Sequence, residues 1–242
     1  MGKPRTSLRP LLIQIRETDE IAAHERLCYL TRCGFDPDRF ESINVVNQPA
    51  VRWADAEHAD VIFIGGAGMY SVTQAYEFTN PLRDLVSEAA KRDRPLFGNC
   101  WGHQFIAQAM GGSVVTDMNT SEVGCFDIVL ADNIDGDPVL GGLSGRFPAL
   151  MGHHDRIDAM PECCIELAYS DRCRNQALRV KDKPIYGTQF HTEMNGQQLI
   201  DRLTVYRASY LDSEDELDAL KQRDLATPDA DMILQNFLDT YV

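Results

Sequence analysis

The sequence predicts an α/β fold, with a mostly parallel central sheet and helices on both faces. Two observations carry that expectation. Short apolar runs at 11–15, 43–46 and 61–64 read as buried strands separated by segments of helical spacing. A glycine-flanked cysteine, Gly98-Asn99-Cys100-Trp101-Gly102, then stands where a strand at 95–97 meets a helix, the setting of a nucleophile elbow. A chain of 242 residues is long enough to bury one large core.

In order along the chain, 11–15 forms the first strand, and 18–33 follows as a helix with Ile21, Leu27 and Leu30 at helical spacing and Gly34 as its stop. The runs 43–46 and 61–64 continue the strand–helix alternation. A helix over 81–91 opens with Pro81, and 95–97 leads into the elbow. After Gly112 the strands shorten, at 113–115, 126–130 and 176–180, with turns between them, and 185–190 is the last strong strand. A helix over 197–210 precedes a charge-rich stretch at 212–231 and a closing helix at 232–241. The whole, 1–242, reads as a single domain.

A net charge of −14 without a Lys/Arg run excludes a nucleic-acid footprint, which needs a concentrated basic face. Residues 1–10 lead into no apolar run of signal-peptide length, and no stretch is long enough to span a membrane. The seven cysteines are odd in number and contain no CxxC pair, which argues against a disulfide framework or zinc knuckle and for a reducing cytoplasm.

The chemistry gathers at three places. In the elbow, glycines on both sides permit a tight turn, and a thiol at a helix N-terminus beside a basic group becomes a usable thiolate near neutral pH. The same pattern is also compatible with a buried core cysteine. At 187–193, an apolar strand ends in His191 and Glu193, two positions apart and so on one side of an extended chain. His191 then serves as base to Cys100, with Glu193 orienting the imidazole and stabilising its cation; the plainer alternative is a solvated pair. The third place is Gly65-Gly66-Ala67-Gly68 after the strand at 61–64, where a backbone N–H at Gly66 would join that of Trp101 as an oxyanion hole. A dinucleotide-binding turn is the alternative, but Ser71 stands where the third glycine of that fingerprint belongs.

With these pieces, and with Gly152-His153-His154-Asp155-Arg156-Ile157 and the closing Ile233-Leu234-Gln235-Asn236-Phe237-Leu238, the chain resembles the class I glutamine amidotransferases over about 11–195 plus the last helix. In texture it is most similar to the glutaminase domain of GMP synthetase and to stand-alone γ-glutamyl peptidases. The resemblance implies a flavodoxin-like fold, Cys100 as nucleophile, His191 as general base, Glu193 as third triad member, and Gly66 with Trp101 as oxyanion donors. It further implies that Gln104 contacts substrate and that the backbone around His154 and Asp155 holds the amino-acid carboxylate. Three residues depart from the family pattern: Ala67 replaces a proline, Asn99 an apolar residue, and Trp101 is bulkier than usual. Adjacent histidines point opposite ways in an extended chain, so His153-His154-Asp155 is not read as a metal site, and no cofactor is expected.

Three functions follow. The first is a glutaminase that passes ammonia to a separate synthase, since this chain shows no acceptor domain. The second is a self-sufficient hydrolase or transferase on a γ-glutamyl conjugate, and the third is a catalytically silent regulatory relative, disfavoured because the nucleophile, base and glycine loop are all present. The segment 195–231, longer than is usual in the family, is expected to narrow the active-site mouth or to offer a surface to a synthase, against the plainer reading of a solvated spacer.

Overall fold

The computed structural model describes residues 3–132, 134, 136–211 and 213–242. Met1, Gly2 and Asp212, which belong to the N-terminal and charge-rich segments above, lie outside the described residues.

The strands and helices run β1 (Pro10–Ile15), α1 (Asp19–Cys33), β2 (Glu41–Asn44), β3 (Val61–Ala67), α2 (Thr79–Lys91), β4 (Leu96–Asn99), α3 (Trp101–Ala109) and β5 (Ser113–Thr116). Then follow β6 (Glu122–Leu130), β7 (Arg146–His153), β8 (Asp155–Ala159), β9 (Cys164–Ser170), β10 (Ala177–Val180), β11 (Ile185–Thr188), α4 (Gly196–Tyr210), α5 (Glu214–Lys221) and α6 (Pro228–Tyr241). A nine-stranded sheet has the order β2-β1-β3-β4-β11-β10-β9-β6-β7. From β2 to β11 all neighbours are parallel; from β11 through β7 they are antiparallel. β5 and β8 form a separate antiparallel pair.

Residues alternate between faces along the parallel strands, as a pleat of period two requires. Leu12, Phe63, Phe97 and Tyr186 pack with Tyr29 of α1 and Ile233, Leu234 and Phe237 of α6. Leu11, Ile13, Ile62, Ile64 and Leu96 pack on the opposite face with Leu82, Leu85 and Val86 of α2 and Phe105 and Ile106 of α3. Burial on both faces explains why these strands read as unbroken apolar runs.

The α1 boundaries follow the sequence: the Thr18 side chain accepts from Ile21 N, and Gly34 at φ 67° closes the helix in the left-handed region. Elsewhere the structure departs from expectation. β7 and β9 are strands that the sequence pattern hides, because Pro148 interrupts one and Cys164-Ile165-Glu166 blurs the alternation of the other. The strand expected over 185–190 ends at Thr188, so His191 lies beyond it, held by its N–H donating to Leu150 O at 2.8 Å. The closing helix starts earlier, at Pro228, where proline suits the first helical position. The stretch expected to be charged and solvent-facing contains α5, whose Leu217 and Leu220 are buried against Leu199, Ile200 and Leu203 of α4. Among the described residues no helix is long and apolar enough to cross a membrane.

Candidate active site

The carboxyl ends of β3, β4 and β11 meet at one point, the place where an open parallel sheet leaves room for a ligand. Cys100 sits there between β4 and α3 with φ 50° and ψ −103°, a left-handed strained turn that aims its side chain away from the sheet. The turn is possible only because its flanks carry no side chains. A Cβ on Gly98 would fall 2.5 Å from the Gly102 carbonyl carbon, and one on Gly102 would fall 2.2 Å from Ile64 O. The Cys100 N–H donates to Thr188 O at 2.7 Å, which ties the elbow to the end of β11.

His191 and Glu193 are 5% and 1% exposed, so this is no solvated pair. His191 Nδ1 donates to Glu193 Oε1 at 2.8 Å. Burial pulls the imidazole pKa down, but the Glu193 carboxylate and the Cys100 thiol outweigh it and raise it to about 9. For Glu193 burial pulls upward, and the imidazole and Arg202 outweigh it and bring it to about 2. Cys100, His191 and Gly66 are neighbours: a Cβ on Gly66 would stand 3.5 Å from His191 Cε1 and 3.8 Å from Cys100 Cβ. This arrangement supports a thiolate–imidazolium pair at neutral pH, with a carboxylate behind it.

The oxyanion donors differ from expectation at Gly66. Its N–H donates to Glu25 Oε1 at 3.1 Å. The reason is local: Gly65 and Gly66 leave space for the Glu25 carboxylate, which is fully buried and paired with Arg16 Nη2 at 2.6 Å. Trp101 occupies the first position of α3, where a backbone N–H has no intrahelical acceptor. Its side chain stacks on Phe105, with ring centroids 4.8 Å apart.

Gln104, His154 and Asp155 line an open cavity of about 220 Å³ that reaches Cys100. Gln104 Nε2 donates to Asp155 O at 2.7 Å and to Gln189 Oε1 at 2.9 Å, so both amide hydrogens are committed inside the protein. The Asp155 carboxylate accepts from Ser71 and Thr116 hydroxyls at 2.5 and 2.6 Å. His154 stacks on Tyr210 and bonds Ser209 O through Nε2 at 2.9 Å, linking this wall to α4. His153 turns inward instead, to Glu122 Oε2 at 3.1 Å. The two histidines diverge.

A family model described as glutamine amidotransferase class-I matches residues 33–203. The chain belongs to that family. The glutamine-hydrolyzing subunit of GMP synthase from Methanococcoides burtonii is 32% identical over 140 residues, which cover 58% of this chain and 67% of that protein. The protein of the same name from Methanococcus maripaludis is 31% identical over 142 residues, covering 59% of this chain and 68% of its own length. Among solved structures, a glutamine amidotransferase from Thermotoga maritima superposes with TM-score 0.72 at 18% identity, covering 96% of this chain and 98% of that one.

Several residues of this amidotransferase site carry no local mark in the sequence. Gln189 Nε2 lies 3.6 Å from Cys100 Sγ, so the Gln104–Gln189 pair ends at the sulfur. Arg202 backs Glu193, and Arg16 with Glu25 underlies the glycine loop. A weaker signal exists: Ile21, Glu25 and Cys28 share a helical face, as do Leu199, Arg202, Leu203 and Tyr206, so each charge sits on an apolar stripe. Asn99 has a structural reason as well. Fully buried, it accepts from Tyr29 Oη at 2.8 Å and donates to Thr188 Oγ1 at 3.1 Å and Thr192 Oγ1 at 2.8 Å. It therefore braces the loop that carries His191.

Proposed function

We propose that the chain is a glutaminase in which Cys100, His191 and Glu193 hydrolyse the γ-amide of glutamine and supply ammonia to a separate synthase. The observation that carries this is the buried run of contacts from Cys100 through His191 and Glu193 to Arg202 beside a cavity of amino-acid size.

In this reading the Cys100 thiolate attacks the δ-carbon, and the carbonyl electrons move to oxygen. Trp101 N–H receives that oxyanion, while Gly66 N–H joins only by leaving Glu25. Collapse breaks the C–N bond as the His191 imidazolium gives its proton to nitrogen, and ammonia departs. Water then adds to the γ-glutamyl thioester with its proton passing to His191, the C–S bond breaks, and glutamate leaves with the thiolate restored. The amino-acid end of the substrate lies in the open cavity, near Gln104 and the backbone at His154 and Asp155. A separate synthase is supported by likeness to proteins named as glutamine-hydrolyzing subunits. The test is glutamate release from glutamine by the chain alone and with a candidate synthase, against a Cys100→Ala control. Absence of Cys100-dependent glutamate in both settings would refute the reading.

A further inference from the structure

Cys100 borders two cavities that meet at the glycine loop. The open one runs along Gln104 and Asp155. The other is enclosed, bordered by Arg16, Gly66, His191, Arg202, Leu203 and Tyr206, and leaves about 20 Å³ open to the centre of a water molecule. One water needs roughly 10–15 Å³ on that measure, so the chamber seats a single molecule of that size.

The two cavities are not equivalent toward the reaction. His191 borders the enclosed chamber, whereas the open cavity meets His153 and His154. A general acid must come within hydrogen-bond reach of the atom it protonates, so the leaving nitrogen faces the chamber. Tyr206 forms the roof. It is 5% exposed, and its ring fills the space a Gly68 side chain would need: a Cβ there would lie 2.1 Å from Tyr206 Cζ. The roof is held in place because α4 kinks at Tyr206 and the Tyr210 hydroxyl donates to Gly68 O at 3.3 Å. The Tyr206 hydroxyl and Arg16 Nε are both buried without a hydrogen-bond partner. Two unused donors thus border a space the size of one lone-pair acceptor, which is what departing ammonia or incoming water offers.

We propose that Tyr206 determines leaving-group specificity by closing this chamber to the size of ammonia, so that unsubstituted γ-amides react and N-substituted ones do not fit. The inference rests on the glutaminase reading and adds to it the residue that excludes γ-glutamyl peptides and secondary amides. Any substituent on the leaving nitrogen must displace the Tyr206 ring or move α4.

The experiment compares kcat/KM for glutamine and for γ-glutamyl methylamide, one methyl group larger, in the full chain and in Tyr206→Ala, Tyr206→Leu and Tyr206→Phe. One carbon against a filled pocket is worth about tenfold or more, so the wild type favours glutamine by that factor. Tyr206→Ala and Tyr206→Leu lower the preference by about tenfold, and Tyr206→Phe keeps it because the ring remains. The ratio is insensitive to partial unfolding, which scales both rates alike, and the leucine variant preserves apolar packing. A wild-type ratio near one, or a ratio unmoved by both truncations, overturns the inference while leaving Cys100-dependent glutaminase intact. Failure of every γ-glutamyl substrate, with Cys100 left unlabelled by a glutamine-like chloroketone, overturns the glutaminase reading and the inference together.

Discussion

Arg202 Nη1 lies 3.2 Å from Glu193 Oε1, the same oxygen that accepts from His191 Nδ1 at 2.8 Å. One buried carboxylate oxygen therefore stands between two cationic groups, one on a loop and one on α4. Removing the carboxylate would leave the guanidinium and the imidazole facing each other without compensation, in a site from which water is largely excluded. The helix that roofs the active site thereby also sets the charge of its base.

The pH profile should report this arrangement. The His191 pKa, raised to about 9, keeps the imidazolium present through neutral pH and lost as pH rises through about 9. kcat/KM for glutamine is expected to fall along an alkaline limb near pH 9. Glu193→Gln removes the raising charge and leaves burial and Arg202 in place, so the limb should move down to about 6.5 or below. A limb unmoved in the variant contradicts the assignment. The same signs govern stability. The contribution from His191 is complete below about 6.5 and fades toward 9; that from Glu193 is complete above about 4.5 and fades toward 2. Urea unfolding should therefore separate wild type from Glu193→Gln most widely between about pH 4.5 and 6.5.

Thiol reactivity provides a second prediction. Burial pushes Cys28, Cys33 and Cys164 up to about 12 and raises Cys125 and Cys173 as well, which keeps those sulfurs protonated and unreactive. A glutamine-like chloroketone should label Cys100, with exposed Cys163 as the one competitor for unselective alkylation. Peptide mapping reads the outcome, and predominant label on Cys28, Cys125 or Cys163 would remove Cys100 as nucleophile. Cys100→Ala should lower kcat by about 10⁴-fold or more while the fold persists, and His191→Asn nearly as much, because members of such a unit act together.

Asn99→Leu should separate positioning from packing. The substitution strips partners from Tyr29, Thr188 and Thr192 in a site without solvent, costing about 1–3 kcal/mol in urea unfolding. Because Asn99 faces the His191 loop rather than the open cavity, kcat should fall more than KM rises. The reverse split would mean that Asn99 acts on substrate binding.

The nucleophile, base and acid are legible in the sequence because each sits in a local pattern: Cys100 between glycines at a strand–helix junction, His191 and Glu193 two apart after an apolar run. The parallel half of the sheet is legible for a related reason, since strands buried on both faces become continuous apolar runs. What escapes is relational. Arg16, Glu25 and Arg202 meet the triad only through tertiary packing of three separate elements, and nothing within a few residues of any of them names the partner. Gly66 illustrates the limit from the other side. The glycine loop is visible, but the destination of its N–H depends on a glutamate 41 positions earlier.

The charge-rich segment yields the last prediction. Its sequence balances between solvated spacer and functional insert, because charged residues outnumber apolar ones over 212–224. The structure tips that balance through two leucines: Leu217 and Leu220, each 6% exposed, pack with Leu150, Met194, Leu199, Ile200 and Leu203. α5 therefore buttresses the face of α4 whose other members include Arg202 and Tyr206. Leu217→Ala and Leu220→Ala should each cost about 2–4 kcal/mol, as large-to-small changes at buried sites do. Loosening α4 should act at two places at once: it frees Arg202 from Glu193, lowering kcat, and it lifts Tyr206 from Gly68, admitting larger leaving groups. Replacing 213–227 with a Gly/Ser linker should reproduce both effects, with faster amide exchange across α4 as the structural readout. A linker variant with wild-type exchange in α4 and unchanged selectivity would show that the segment is a spacer after all, whereas unchanged glutaminase with lost stimulation by a synthase would place its role at a docking surface instead.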